Sequence, residues 1–189
     1  MVQRNTALAL IKEEFLTRDL GRLVIERSGV NFYRCYHCEM CTNGCPFLPT
    51  MDRAPNVIIR LLQFGLFEEV LTSSTIWVCV GCYTCAYRCP MGIDIPTLMD
   101  TLREIVLEKG LPVAEPDVLE FHRQVVSSIK RHGRAHKLEI MVGYKFKKRE
   151  WLSDWLLGIK MLAKHKLDLT PSRVKRIEEV RALFEDHEE

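Results

Sequence analysis

No run of about 18 consecutive apolar residues occurs in this chain, so no segment is expected to cross a bilayer as a helix. A G-x-G-x-x-G turn is missing, and with it any sign of a flavin or nicotinamide cradle. The G-x-x-x-x-G-K-[ST] loop is missing as well, so nucleotide-driven chemistry is not indicated. Apolar and polar residues nowhere alternate with period two over a useful length, which argues against sheet. The start, Met1-Val-Gln-Arg-Asn5, carries no export-signal pattern. A dominant charge is also absent. Lysine and arginine number 27 against 25 acidic residues, a formal +2, which does not advertise nucleic-acid binding.

Cysteine is absent everywhere except in two places. The first reads Cys35-Tyr-His-Cys38-Glu-Met-Cys41-Thr-Asn-Gly-Cys45-Pro46. The second reads Cys79-Val-Gly-Cys82-Tyr-Thr-Cys85-Ala-Tyr-Arg-Cys89-Pro90. This C-x2-C-x2-C-x3-C-P run is the spacing of paired [4Fe–4S] clusters. A cubane cluster needs four thiolates at the corners of a compact core. Three cysteines two residues apart wrap a loop around it, and the fourth ligand comes from farther along the chain. In two-cluster proteins the cysteine before proline serves the other cluster. On that rule Cys35, Cys38, Cys41 and Cys89 hold one cluster, and Cys79, Cys82, Cys85 and Cys45 hold the second. The proline after each fourth cysteine fixes φ and sends the chain away extended.

Disulfides would suit a secreted chain, and zinc would prefer C-x2-C pairs without a third cysteine at the same spacing. Two sites of four thiolates each leave no cysteine over. No adjacent cysteine pair exists and none is left as a nucleophile. Each oxidised site would carry a net charge of roughly −2, turning the loaded protein slightly acidic. Thiolate-held clusters without an export signal predict the cytoplasm, and an oxygen-poor one.

Helical periodicity surrounds both motifs. Residues 6–26 place Leu8, Ile11, Phe15, Leu16, Leu20, Leu23 and Val24 at helical spacing, closing near Gly29. Pro55 starts and Gly65 ends a short helix, and residues 66–71 form another. Thr97 is expected to cap a helix ending near Gly110. Further helices are expected over 116–130, 135–145 and 150–164, the last anchored by Trp151, Trp155, Leu156, Ile159 and Leu162. Thr170-Pro171 is expected to cap a final helix through Phe184. The expected class is all-α: an N-terminal helical segment (1–31), a two-cluster helical ferredoxin-like domain (32–113) and a helical C-terminal extension (114–189).

Several residues carry a plain reading beside a functional one. The basic stretch Lys130, Arg131, Arg134, Lys137, Lys145, Lys147, Lys148 and Arg149 reads as a solvated face or a dock for an acidic partner. His37, inside the first motif, reads as a polar neighbour tuning potential rather than a ligand. His132, His136 and His165 read as surface residues. Trp77, Tyr83, Tyr87, Tyr36 and Phe47 read as packing that shields the clusters from water.

These residues resemble a known family, the C-type subunit of heterodisulfide reductase and its bacterial relatives. The resemblance lies in both motifs, in the spacer with Ile59-Arg60-Leu61 and Gly65, and in the run from Trp77 to Ile95. The tail, with His132-Gly-Arg-Ala-His136 and Leu167-Asp-Leu-Thr-Pro171, is similar to the bacterial version. The resemblance implies an α-helical ferredoxin fold similar to the cluster domain of succinate dehydrogenase iron–sulfur subunits. It also implies a hetero-oligomer with a flavin- and cluster-containing A-type subunit and a cysteine-rich, catalytic B-type subunit, between which this chain relays electrons. All eight cysteines are then ligands and none is catalytic. The competing expectations are the iron–sulfur subunit of a glycerol-3-phosphate or fumarate/succinate-type dehydrogenase, a free ferredoxin-like carrier, and clusters that serve structure alone.

Overall fold

The structure, a computed structural model, describes residues 19–148, 160, 161, 164 and 174–185. Among these every regular element is helical, as expected for an all-α chain. The chain divides into two compact units, Met1–Pro116 and Asp117–Glu189.

The first unit begins, within the described residues, with α1 (Asp19–Ser28), which stops where Gly29 adopts φ +67 and returns its N–H to Ile25 O. A 3-10 turn (Phe32–Arg34) leads into the first motif, which contains α2 (Met40–Asn43). Pro55 opens α3 (Pro55–Gln63), a missing N–H costing nothing at a helix's first position. Gly65, at φ +74, turns the chain into α4 (Phe67–Leu71). Then come α5 (Thr75–Val78), the second motif with α6 (Thr84–Arg88), and α7 (Ile95–Glu108).

The organising element is α7, packed against α1, α4, α5 and α6. Its apolar positions Leu98, Leu102, Ile105 and Val106 recur at helical spacing and are fully buried. They join Val24, Phe32, Ile58, Leu62, Val70 and Ile76 in one core. The structure corrects one expectation here. The cap of α7 is Asp94, whose carboxylate accepts the Thr97 N–H at 3.1 Å, so Thr97 lies inside the helix. Truncating Leu102 to alanine is expected to cost about 2–5 kcal/mol, read from the anaerobic denaturation midpoint. A surface leucine such as Leu107 should cost far less.

The second unit contains α8 (Pro116–His132), α9 (Lys137–Lys148) and α10 (Ile177–Glu185). Phe121 of α8 is 45% exposed and meets the Tyr144 ring edge-on. His132 departs from its expected surface role: its side chain is 12% exposed and Nε2 lies 2.9 Å from Glu139 Oε2. The buried Ser128 hydroxyl donates to the same Glu139 oxygen and accepts the His136 N–H. The anchors expected over 150–164, the Thr170-Pro171 cap and His165 lie outside the described residues.

Candidate metal centre

The two cysteine loops repeat one backbone design. The residue before the second cysteine has positive φ in both, His37 at +61 and Gly81 at +63. So does the residue after it, Glu39 at +62 and Tyr83 at +58, and each of these begins the short helix carrying the third cysteine. Three non-glycine residues held left-handed in two loops represent strain that the surrounding structure must impose. Alternation of this kind turns backbone N–H groups inward into an anion-binding concavity of the type that receives iron–sulfur sites.

The exits match as well. Cys45 N–H bonds Thr42 O at 3.1 Å, and Cys89 N–H bonds Ala86 O at 3.2 Å. Cys45 O then accepts from Leu48 N–H, as Cys89 O accepts from Gly92 N–H. The short helices α2 and α6 pack on one another. There Gly44 is needed for space, because a Cβ on it would stand 2.9 Å from the Arg88 side chain lying over it.

A third repeated feature was not foreseen from the sequence. The helix after each motif sends its ninth residue back to the motif's entrance. From α3, the Gln63 side-chain amide donates to Phe32 O at 3.0 Å and Cys35 O at 3.1 Å. From α7, Arg103 donates to the corresponding carbonyls, Nε to Ile76 O and Nη2 to Cys79 O. Gln63 Oε1 in turn accepts from His37 Nε2 at 3.0 Å, so the His37 ring is turned to this anchor.

Between the motifs, Asp52 fixes the start of α5. Its Oδ1 accepts from Ser73 Oγ (2.7 Å), Thr75 Oγ1 (2.7 Å) and Thr75 N–H (2.9 Å). Burial alone would raise the Asp52 carboxyl, but these hydrogen bonds prevail and hold it at about 2. Its folded value is below the unfolded 3.8, so its stabilisation is complete above that pH and fades as pH falls towards 2. Asp52→Ala would strip acceptors from Ser73 and Thr75, both buried, at an expected cost of about 1–3 kcal/mol in chemical denaturation. Asp52→Asn, which keeps an oxygen there, should cost less.

All eight cysteines are free thiols. Cys45 from the first motif lines one hollow together with Cys79, Cys82 and Cys85 from the second. The rest of that lining is mainly apolar, with Phe47, Met51, Ile95 and Met99 among it. Four soft sulfur donors lining one mainly apolar hollow are the donor chemistry of a thiolate-ligated iron–sulfur cluster. On the other side, the Tyr36 phenol is raised, first by desolvation and then by Cys38, with smaller contributions from Cys89 and Cys35. Burial raises the thiols of Cys41 and Cys79, and pushes Cys85 up to about 12. Cys82, near the surface, is instead drawn down by the Thr84 hydroxyl 3.5 Å away.

The expected aromatic shield is mostly not there. Trp77 is buried at 2% exposure and its indole N–H finds no acceptor among the described residues, but Tyr36, Tyr83 and Tyr87 are exposed, Tyr87 at 96%. The reason is local. Tyr83 caps α6 in a left-handed conformation and Tyr87 stands one turn on, in a helix whose five residues cover little.

The 4Fe-4S dicluster domain family matches residues 34–94. The chain is 33% identical over 134 residues to the C-type iron–sulfur subunit of CoB–CoM heterodisulfide reductase from Methanopyrus kandleri, covering 67% of each chain. It is 34% identical over 118 residues to the second C-type iron–sulfur subunit of the same enzyme from Methanocaldococcus jannaschii, covering 62% of this chain and 60% of that one. With the C-type subunit of the ferredoxin:CoB–CoM heterodisulfide reductase of Methanosarcina mazei it shares 32% over 116 residues, covering 61% and 68%. With its cysteine loops inside the matched segment, this chain belongs to the family of C-type iron–sulfur subunits of heterodisulfide reductase.

Proposed function

We propose that this chain is the electron relay of a heterodisulfide-reductase-type complex, holding two [4Fe–4S] clusters in the domain spanning 32–113. In this reading Cys35, Cys38, Cys41 and Cys89 hold one cluster, and Cys79, Cys82, Cys85 and Cys45 the other. The observation that carries it is the hollow in which Cys45 joins three thiols of the other motif. When bound, the clusters supply one-electron uptake and release.

The chain's own residues do the rest. The left-handed turns orient backbone N–H groups, Gln63 and Arg103 fasten each loop at its entrance, and the apolar lining keeps water from the second site. No residue is assigned to catalysis. Electrons enter from a flavin-containing A-type subunit and leave to a cysteine-rich B-type subunit where disulfide chemistry takes place, in the cytoplasm. The names of the relatives support this assembly, since each is a subunit of a heterodisulfide reductase. No helix among the described residues is long and apolar enough to cross a membrane.

Anaerobic affinity purification from the native host, with mass spectrometry of the companions, tests this reading. Recovery of a flavoprotein with a cysteine-rich subunit is expected. Recovery of a membrane dehydrogenase, or of a monomer without companions, would contradict it.

A further inference from the structure

The internal repeat is close enough that a mismatch between its two fastening side chains stands out. At equivalent places, fastening equivalent carbonyls, the first motif has a neutral amide and the second a guanidinium. We propose that Gln63 and Arg103 set the two cluster sites at different reduction potentials, the Cys79 site the higher, and so give the relay a direction from the Cys35 site to the Cys79 site. This rests on the two-cluster reading above.

Reduction adds one negative charge to a site, so a nearby fixed cation favours the reduced form and raises the potential. Arg103 is well placed for this. It is bonded to the carbonyl of a ligand residue, and its side chain is only 15% exposed, where water and salt screen least. At the first site, Gln63 brings a dipole and no charge. Gln63 itself meets a cation only at Oε1, 3.4 Å from Arg60, which is exposed and stacked over the Phe64 ring. The second motif's other cation, Arg88, lies over Gly44 of the first motif and belongs to the seam between the sites.

Asp100 opposes Arg103 at 2.8 Å, but its side chain is 55% exposed and makes no bond to a ligand residue's carbonyl in the way Arg103 does. One electron taken up at the Cys35 site from a low-potential one-electron donor, a flavin semiquinone or a reduced ferredoxin, passes to the Cys79 site. The first site is oxidised by one electron, the second is reduced by one, and no proton moves.

The test is an anaerobic potentiometric titration of the full chain, followed by electron paramagnetic resonance, with iron measured on every sample. The wild type is expected to show two separated potentials. Arg103→Gln, which gives the second site the first site's anchor, should lower the higher potential by at least tenfold in the one-electron equilibrium, 59 mV. The lower potential should move much less. Arg103→Lys should recover most of the loss, because it keeps the charge. Asp100→Asn should shift the higher potential upwards. A merely structural role for Arg103 predicts no such opposite pair of shifts.

Unchanged potentials in Arg103→Gln at full iron content would overturn the proposal, as would a shift confined to the lower-potential site. If Arg103→Gln loses iron, Asp100→Asn decides, since it leaves Arg103 in place, and a higher potential that does not rise overturns the proposal. A wild type with iron for one cluster would instead defeat the two-cluster reading itself.

Discussion

Replacing Cys45 with serine is expected to remove the cluster bound by the second motif and leave that of the first. Cys45 lies in the first motif by sequence, yet it lines the hollow of Cys79, Cys82 and Cys85. The chain reaches there because α2 ends at Asn43 and Cys45 N–H closes on Thr42 O, carrying the sulfur away from its own loop. Cys89→Ser should do the reverse. Iron content of paired variants separates crossed from uncrossed ligation. If Cys45 and Cys79 serve one cluster, Cys45→Ser with Cys79→Ser should retain about four irons, as each single variant does. Cys45→Ser with Cys35→Ser should retain almost none. The opposite pattern would mean that each motif holds its own cluster.

Loading the sites should release protons and strengthen steeply with pH. Burial raises the thiols of Cys41, Cys79 and Cys85, the last to about 12, so at neutral pH they stand protonated in the cluster-free protein. Each must lose its proton to bind iron. Cys41, Cys79 and Cys85 should each release a proton on loading near pH 7, over and above the protons that sulfide gives up as it enters the cluster, measured by calorimetry of anaerobic reconstitution in buffers of different ionisation enthalpy. Apparent affinity should then rise about tenfold per proton released for each pH unit.

The cluster-free fold itself responds in the opposite sense. Unfolded thiols ionise near 9.0 while the buried ones resist, so burial of neutral thiols stabilises the fold below pH 9. That contribution declines as pH rises from there towards 12. No proton release beyond that of the sulfide near neutrality would mean that these thiols are already ionised before loading.

What could be read in advance was what the chain encodes locally. Cysteine spacing is a property of one loop, so the dicluster character of the segment and the helical class around it were legible without a fold. Helix ends at Gly29, Gly65 and Gly110 were legible too, because each needs the left-handed backbone that glycine adopts freely. Thr97 was expected to cap α7 from its residue type, and the non-helical backbone at Asp94 places the cap there instead.

The remaining features depend on long-range pairing. Gln63 reaches a carbonyl 28 residues back and Arg103 one 24 residues back, distances at which periodicity carries no information. Asp52 likewise meets Ser73 and Thr75 only once α4 has turned the chain around. His132 looked like a surface residue because its polar neighbours Ser128 and Glu139 converge on one another only in the folded unit. Tyr87 misled in the other direction, since proximity to a cysteine in sequence says nothing about which side of a short helix a ring occupies.

Two low-potential clusters, rather than one cluster or zinc, are what this chain should hold. Anaerobically purified protein should therefore be analysed for iron, acid-labile sulfide and zinc, and reduced with dithionite for electron paramagnetic resonance. About eight irons with matching sulfide, and a spectrum broadened by coupling between two reduced centres, is the result expected. Zinc in place of iron, or four irons with a single uncoupled signal, would contradict it.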